Sequence, residues 1–345
     1  MKSRAAQLIT GLVAVAVAAT TASLLTGREP AGAPAARAPH GRETVAEVPF
    51  TPYVDASRST AYDMAGAARS TGADGFTLGF VTARGGCAPT WDGREGIAHG
   101  DLADRIAALR ATGRDVRVSF GGADGTELAG ACPDVDGLGS AYAEVIGRYR
   151  LTGVDFDVEG DDLADTAAGT RRARAVARLQ REAEREGRTL SVSFTLPAMP
   201  SGLTAEASAL LADARRQGVR VDGVNIMAMD YGDSYTGDMG RYAIQAATST
   251  HRQLKALLGL PDAAAWRTLT VTPMIGVNDI EGEVFTLGDA AQLAAFARDK
   301  GLGGLSMWSA DRDRACEDDP GSTAPTQCSG VNQPSLAFAR ALAEA

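Results

Sequence analysis

From residue 48 onward, short β-branched runs alternate with Ala/Leu/Arg-rich helical stretches, and this rhythm restricts the fold more than any other feature. The candidate strands are "VPFTPYVD" (48–55), "GFTLGFVTA" (75–83), "RDVRVSFGG" (114–122) and "TGVDFDVEG" (152–160). Four more follow: "TLSVSFTLP" (189–197), "VDGVNIMAMDYG" (221–232), "TLTVTPMIGVND" (268–279) and "GLGGLSMWSADRD" (301–313). Between them lie helical patterns such as "DLADRIAALRAT" and "GTRRARAVARLQREAEREG". Strand and helix in turn, at intervals of roughly 30–40 residues, are the βαβ repeat of a parallel sheet. Eight such units predict an α/β fold, a (β/α)8 TIM barrel in a single domain over residues 48–345. An open doubly wound sheet predicts a Gly-rich phosphate turn after the first strand, and "PYVDASRST" is not one.

The flanking sequence bears on compartment rather than fold. Lys2 and Arg4 precede an apolar stretch from Ala5 to about Leu25, with small residues at Ala16, Ala18 and Ala22. Residues 1–26 therefore read as an export signal, with an uncleaved membrane anchor as the alternative. Residues 27–47, rich in Pro, Ala and Gly, read as a linker. Four cysteines in an exported chain predict disulfides. Cys316 and Cys328 lie close together in a polar loop, which leaves Cys87 for Cys132. An extracellular monomer is expected. The net charge of −9 argues against a nucleic-acid partner. The histidines (His40, His99, His251) are scattered and no Cys/His cluster has zinc spacing, so neither metal nor cofactor is expected.

Polar residues gather at the C-terminal ends of the predicted strands: Asp55, Ser119 with Gly121 and Gly122, Glu159, Tyr231, Asn278 and Trp308. In a barrel of this kind that rim carries the chemistry. The sharpest pattern is "GVDFDVEG". Side chains alternate along a strand, so Asp155, Asp157 and Glu159 share one face and Val154, Phe156 and Val158 the other. The apolar set packs on helices outside the barrel and the acids point inward. No inward Arg or Lys is expected at a matching depth. Three carboxylates in a confined interior cannot all ionise cheaply, so a proton is shared among them. Glu159, nearest the rim, is then the residue that Asp157 and partial burial hold protonated as an acid catalyst.

With these residues in place, the sequence resembles the chitinases of glycoside hydrolase family 18, whose signature strand reads DGxDxDxE. Here it reads "TGVDFDVEG", with Thr152 in place of the leading Asp. "SFGG" (119–122) resembles the family's SxGG, "NIMAMDYG" its MxYD-type sixth strand, and "SMWSADRD" its eighth strand with a terminal Trp. The resemblance covers residues 48–340 and implies substrate-assisted retaining hydrolysis of chitin or N-acetylglucosamine oligosaccharides. In that scheme Glu159 is the general acid and base, Asp157 orients the acetamide N–H, and Asp155 shares the proton. Tyr231 is the expected hydroxyl for the acetamide oxygen. Because Met229 precedes Asp230 and Tyr231 follows it, either Tyr231 reaches inward or Asp230 does so through a local bend.

Trp308 is expected to floor a sugar subsite, with Met229 and Met227 as pocket wall or core filler. Trp91, Ser119, Asp124 and Asn278 are further candidates for the rim, with a loop anchor as the alternative for Trp91. Aromatic residues at 6% argue against a long aromatic track and for an endo-acting, weakly processive enzyme. Thr152, at the deep end of its strand, is expected to matter only at second hand. Rival readings are an endo-β-N-acetylglucosaminidase acting on N-glycans, a non-catalytic sugar-binding barrel, and an inhibitor or scaffold on the same fold. An intact Glu159 argues against the non-catalytic barrel.

Overall fold

The computed structural model describes residues 47–58, 61–98, 100–318 and 324–345. The proposed export segment, most of the linker and His99 lie outside the described residues. Each of the eight runs supplies a strand: β1 Tyr53–Asp55, β2 Gly75–Arg84, β3 Asp115–Gly121 and β4 Gly153–Asp157. The others are β5 Ser191–Met199, β6 Gly223–Met227, β7 Leu269–Thr272 and β8 Gly304–Leu305. Successive strands pair in parallel from β1 to β8. The ring closes where Thr51 N donates to Leu305 O (2.9 Å), Leu305 N to Pro49 O (2.8 Å) and Tyr53 N to Met307 O (3.1 Å). The (β/α)8 barrel is therefore the observed fold.

Several strands are shorter than the sequence suggests, and proline explains two of them. Pro49 and Pro52 have no N–H to offer a ladder, so β1 starts at Tyr53. Pro273 ends β7 at Thr272, and the expected run resumes as a separate hairpin, Gly276–Val277 against Val284–Phe285.

A helix follows every strand: α1 Met64–Thr71, α2 Leu102–Arg110, α3 Val135–Tyr149 and α4 Thr166–Arg185. The second half adds α5 Ala205–Arg216, α6 Met239–Leu258, α7 Leu287–Lys300 and α8 Ala337–Leu342. Their ends are written locally. Asp165 accepts Ala168 N at the start of α4, Thr286 and Asp289 form a capping box on α7, and left-handed Gly259 and Gly301 end α6 and α7. Helical alanines face the sheet, which lets the outer ring of large side chains fill the gap. Phe120, Phe156 and Phe194 come one from each of β3 to β5; the first two stack at 5.4 Å, the third lies tilted 5.7 Å from Phe156, and Tyr142 of α3 meets the first two edge-on. Each such buried ring stabilises the fold by roughly 1.5–3 kcal/mol. This outward apolar face obliges Asp155 and Asp157 to point in. Both expected disulfides are present, Cys87–Cys132 and Cys316–Cys328.

Candidate active site

The register of the central strands aligns Ser119, Asp155 and Ser193 in one layer and Gly121, Asp157 and Thr195 in the next. Asp155 is buried in the deeper layer, where four hydroxyl groups donate to its carboxylate. Tyr53 (3.0 Å), Ser119 (2.7 Å) and Thr195 (2.8 Å) reach Oδ2, and Ser193 (2.5 Å) reaches Oδ1. Asn225 Nδ2 donates to Thr195 (3.0 Å), and Thr272 donates to Asn225 Oδ1 (2.7 Å), so the hydroxyl network runs on across β6 to β7. A cation lies one layer deeper than Asp155. Arg117 lies two residues before Ser119 on the same face of β3. It donates to Ser193 Oγ (3.1 Å), so it reaches Asp155 only through that hydroxyl.

Asp157, one layer nearer the rim, is also buried, and its Oδ1 has no hydrogen-bond partner. Burial pushes its carboxyl well above the usual range, and the charges of Glu159 and Asp155 add to the effect. The two glycines of "SFGG" make this crowding feasible. Gly121 is at φ +105°, and a Cβ there would lie 2.0 Å from Asp157 O, so the end of β3 can cross the ladder only without a side chain. Gly122 N then donates to Asp157 O (3.1 Å).

Glu159 stands two residues past the strand, half-buried at the barrel mouth. Burial, then the charges of Asp230 and Asp124, lift its carboxyl to about 7. Asp157 and Glu159 raise each other, as the acid ladder implies, and Asp230 and Asp124 at the rim add to the effect on Glu159.

The mouth opens into a cavity of about 480 Å³ lined by Asp157, Glu159, Asp230, Met227, Met229 and Trp308, among others. Its aromatic floor is a trio. Phe80 stacks on Trp308 at 5.4 Å, and Tyr53 lies 5.9 Å from each of them. Sequence reasoning placed Trp308 here and missed the other two. Tyr53 shares a strand face with Asp55, so alternation could have found it. Phe80 could not be found that way, because the register breaks between Leu78 and Val81. Arg312, Asp279 and Asp311 also line the cavity and carried no signal. Arg312 is buried, and its guanidinium grips the carbonyls of Pro325 (2.9 Å) and Val277 (2.8 Å), fixing two rim loops.

Four candidates lie elsewhere. Tyr231 does not line the cavity; its ring packs on Tyr235 and Tyr242, and its buried hydroxyl has no partner. It is Asp230, at φ +50°, that reaches the cavity through a local bend. Trp91 is buried away from the cavity and donates Nε1–H to Tyr149 Oη (3.1 Å), which makes it a loop anchor. Asn278 is a staple whose Nδ2 donates to Met274 O (2.9 Å) and Gly276 O (3.0 Å). Ser119 lies below the cavity on Asp155. Asp55 and Asp124 do line it, and Thr152 is exposed at the opposite end of β4. Among the described residues no group of His, Cys, Asp and Glu is arranged to hold a metal ion.

Comparison with known proteins bears on the fold and the family. No family model matches the sequence. The catalytic domain of a hyperthermophilic chitinase from Pyrococcus furiosus is 34% identical and superposes with a TM-score of 0.76, over 86% of this chain and 94% of that one. A probable bifunctional chitinase/lysozyme of Escherichia coli is 38% identical over 275 residues, which are 76% of this chain and 31% of that protein. Endochitinase 11 of Metarhizium anisopliae is 36% identical over 273 residues, covering 76% of this chain and 52% of that protein. The chain thus spans about a third and about half of these two curated relatives. A family 18 chitinase of Pseudoalteromonas aurantia, 15% identical with a TM-score of 0.53, shares the fold. A barrel with an acid ladder in its fourth strand and an aromatic-floored mouth defines a class of sugar-cleaving enzymes. The chain belongs to the chitinases of glycoside hydrolase family 18.

Proposed function

We propose that this protein cleaves β-1,4 linkages of chitin or its oligosaccharides by an endo-acting, retaining, substrate-assisted route, with Glu159 as acid and base. The observation that carries the reading is Glu159 at the cavity mouth, held to about 7 above two further inward acids. A carboxyl with that pKa is still about half protonated at neutrality and can give its proton to the glycosidic oxygen as the C–O bond breaks. The acetamide carbonyl oxygen of the same sugar then attacks the anomeric carbon and forms a cyclic oxazolinium. Water, deprotonated by Glu159, opens that ring from the opposite side, so configuration is retained and Glu159 recovers its proton.

Asp157 supports this route through its unpartnered Oδ1, an acceptor suited to the acetamide N–H. As positive charge grows on the ring, the Asp157 carboxyl faces it, with the Asp155 carboxylate one layer below. Hydroxyls already surround Asp155, which stabilises charge there without moving water. Trp308 offers an indole face for the pyranose C–H groups. Export is part of the same reading, supported by two disulfides, a bond type of oxidising compartments.

The test is hydrolysis of chitin oligomers followed by mass spectrometry, with the wild type beside Glu159→Gln. Release of short N-acetylglucosamine oligomers by the wild type alone is the expected result. Binding without cleavage by both proteins would favour the non-catalytic barrel. Cleavage of N-glycans but not of chitin oligomers would move the substrate assignment.

A further inference from the structure

The bend that carries Asp230 into the cavity is held from both sides by one rim hairpin. Asp230 Oδ1 accepts two backbone N–H groups of the hairpin loop, from Asp279 (2.9 Å) and Ile280 (3.2 Å). In return Glu283, at the foot of that loop, accepts the backbone N–H of Gly232 on Oε1 (2.8 Å). Each segment thus lends a carboxylate to the other's backbone. Glu283 is only 1% exposed, and its Oε2 has no partner. Burial of such a group is costly, so a packing role alone is a poor reason for a carboxylate there. Asp230 sits at a positive φ that a non-glycine residue adopts only when its surroundings enforce it. The enforcement comes from these three hydrogen bonds.

We propose that Glu283 is a positioning residue, which with Asp230 clamps the turn after β6 to the 276–285 hairpin and so holds the Asp230 carboxylate beside Glu159. The inference rests on Glu159 being the acid. Asp230 is the charge that acts most strongly on Glu159 after burial, with Asp124 next. The groups facing this cluster are Asp157 from β4, Asp124 from the loop after β3, Asp279 from the hairpin, and Arg312 beyond β8, which faces Asp230. Tyr231 adds a hydroxyl near Glu283. Releasing the clamp lets Asp230 retreat, and a like charge moved a few ångström away lets Glu159 ionise more easily. The expected shift is about one pH unit downward.

The experiment compares the full chain with Glu283→Ala and Glu283→Gln, reading the pH profile of kcat/KM on a chitin pentamer. Glu283→Ala should move the alkaline limb down by about one pH unit. Glu283→Gln keeps an acceptor for Gly232 N–H and should restore most of the shift. If alanine prevents folding, Glu283→Asp retracts the same carboxyl by one methylene and should move the limb in the same direction. A folded Glu283→Ala protein with reduced activity and an unmoved limb would overturn the proposal. A second readout needs no turnover: the difference in unfolding temperature between each protein and its Glu159→Gln counterpart, taken across pH. Its inflection should fall with the limb. If the wild type cleaves no chitin oligomer, the function above fails while this inflection still decides whether Glu283 positions Asp230 against Glu159.

Discussion

Replacing Glu159 with glutamine should cost activity and add stability, and the stability gain should appear only as pH rises. The folded carboxyl titrates at about 7, whereas in the unfolded chain it returns to about 4.3. Between those values the folded state binds more protons than the unfolded state, so wild-type stability falls as pH rises through this window. Glutamine has no such titration. Below pH 4 both states of the wild type are protonated and this source of difference vanishes. Above pH 7 both are ionised, and the variant should be more stable by up to about 3.7 kcal/mol, since each pH unit of separation corresponds to 1.36 kcal/mol. For roughly 300 ordered residues losing about 2 cal/mol/K each, that is about 6 °C in Tm. Removing the charge at 159 also relieves Asp157, which acts in the same direction. The assay is thermal unfolding of both proteins from pH 4 to 8, with kcat/KM measured in parallel. Activity should drop by about two to four orders of magnitude at every pH. A Tm difference that stays flat across this range would refute the elevated pKa, and with it the account of Glu159 as an acid poised near neutrality.

Tyr231→Phe should leave kcat and KM within about twofold and raise stability slightly, because it deletes a buried hydroxyl with no partner. A large rise in KM would instead give Tyr231 a substrate-binding role after all. Arg172 of α4 makes a bidentate pair with Glu127, both 1% exposed. Arg172→Met should destabilise by about 3–5 kcal/mol in urea unfolding, and adding Glu127→Leu should recover most of it, because the larger cost is the stranded charge. The Cys87–Cys132 bridge closes a separation of 45 residues and Cys316–Cys328 one of 12. Chain-entropy reasoning gives about 4 and about 3 kcal/mol for their loss, so paired Cys→Ser variants should rank in that order by Tm.

Local pattern was enough for the eight strands, the inward face of the acid ladder and the disulfide pairs. Period-two alternation, proline and loop composition act over a few residues and do not depend on what packs alongside. Alternation also made Asp155, Asp157 and Glu159 a single cluster before any coordinate was known. It failed where the backbone leaves regular geometry. The bulge in β2 turned Phe80 into the cavity, and the bend at Asp230 decided between residues 230 and 231, which alternation had left open.

Sequence alone therefore determined the barrel and the identity of the acids, because both follow from which side of a strand a residue occupies. The environment of those acids was decided by tertiary structure. Burial at the barrel mouth and the like charges of Asp230 and Asp124, beyond the ends of two other strands, raise Glu159; the hydroxyls around Asp155 come from β1, β3 and β5, and the clamp on Asp230 from a hairpin about fifty residues away. Electrostatic strength depends on distance and burial, and only closing the barrel sets either.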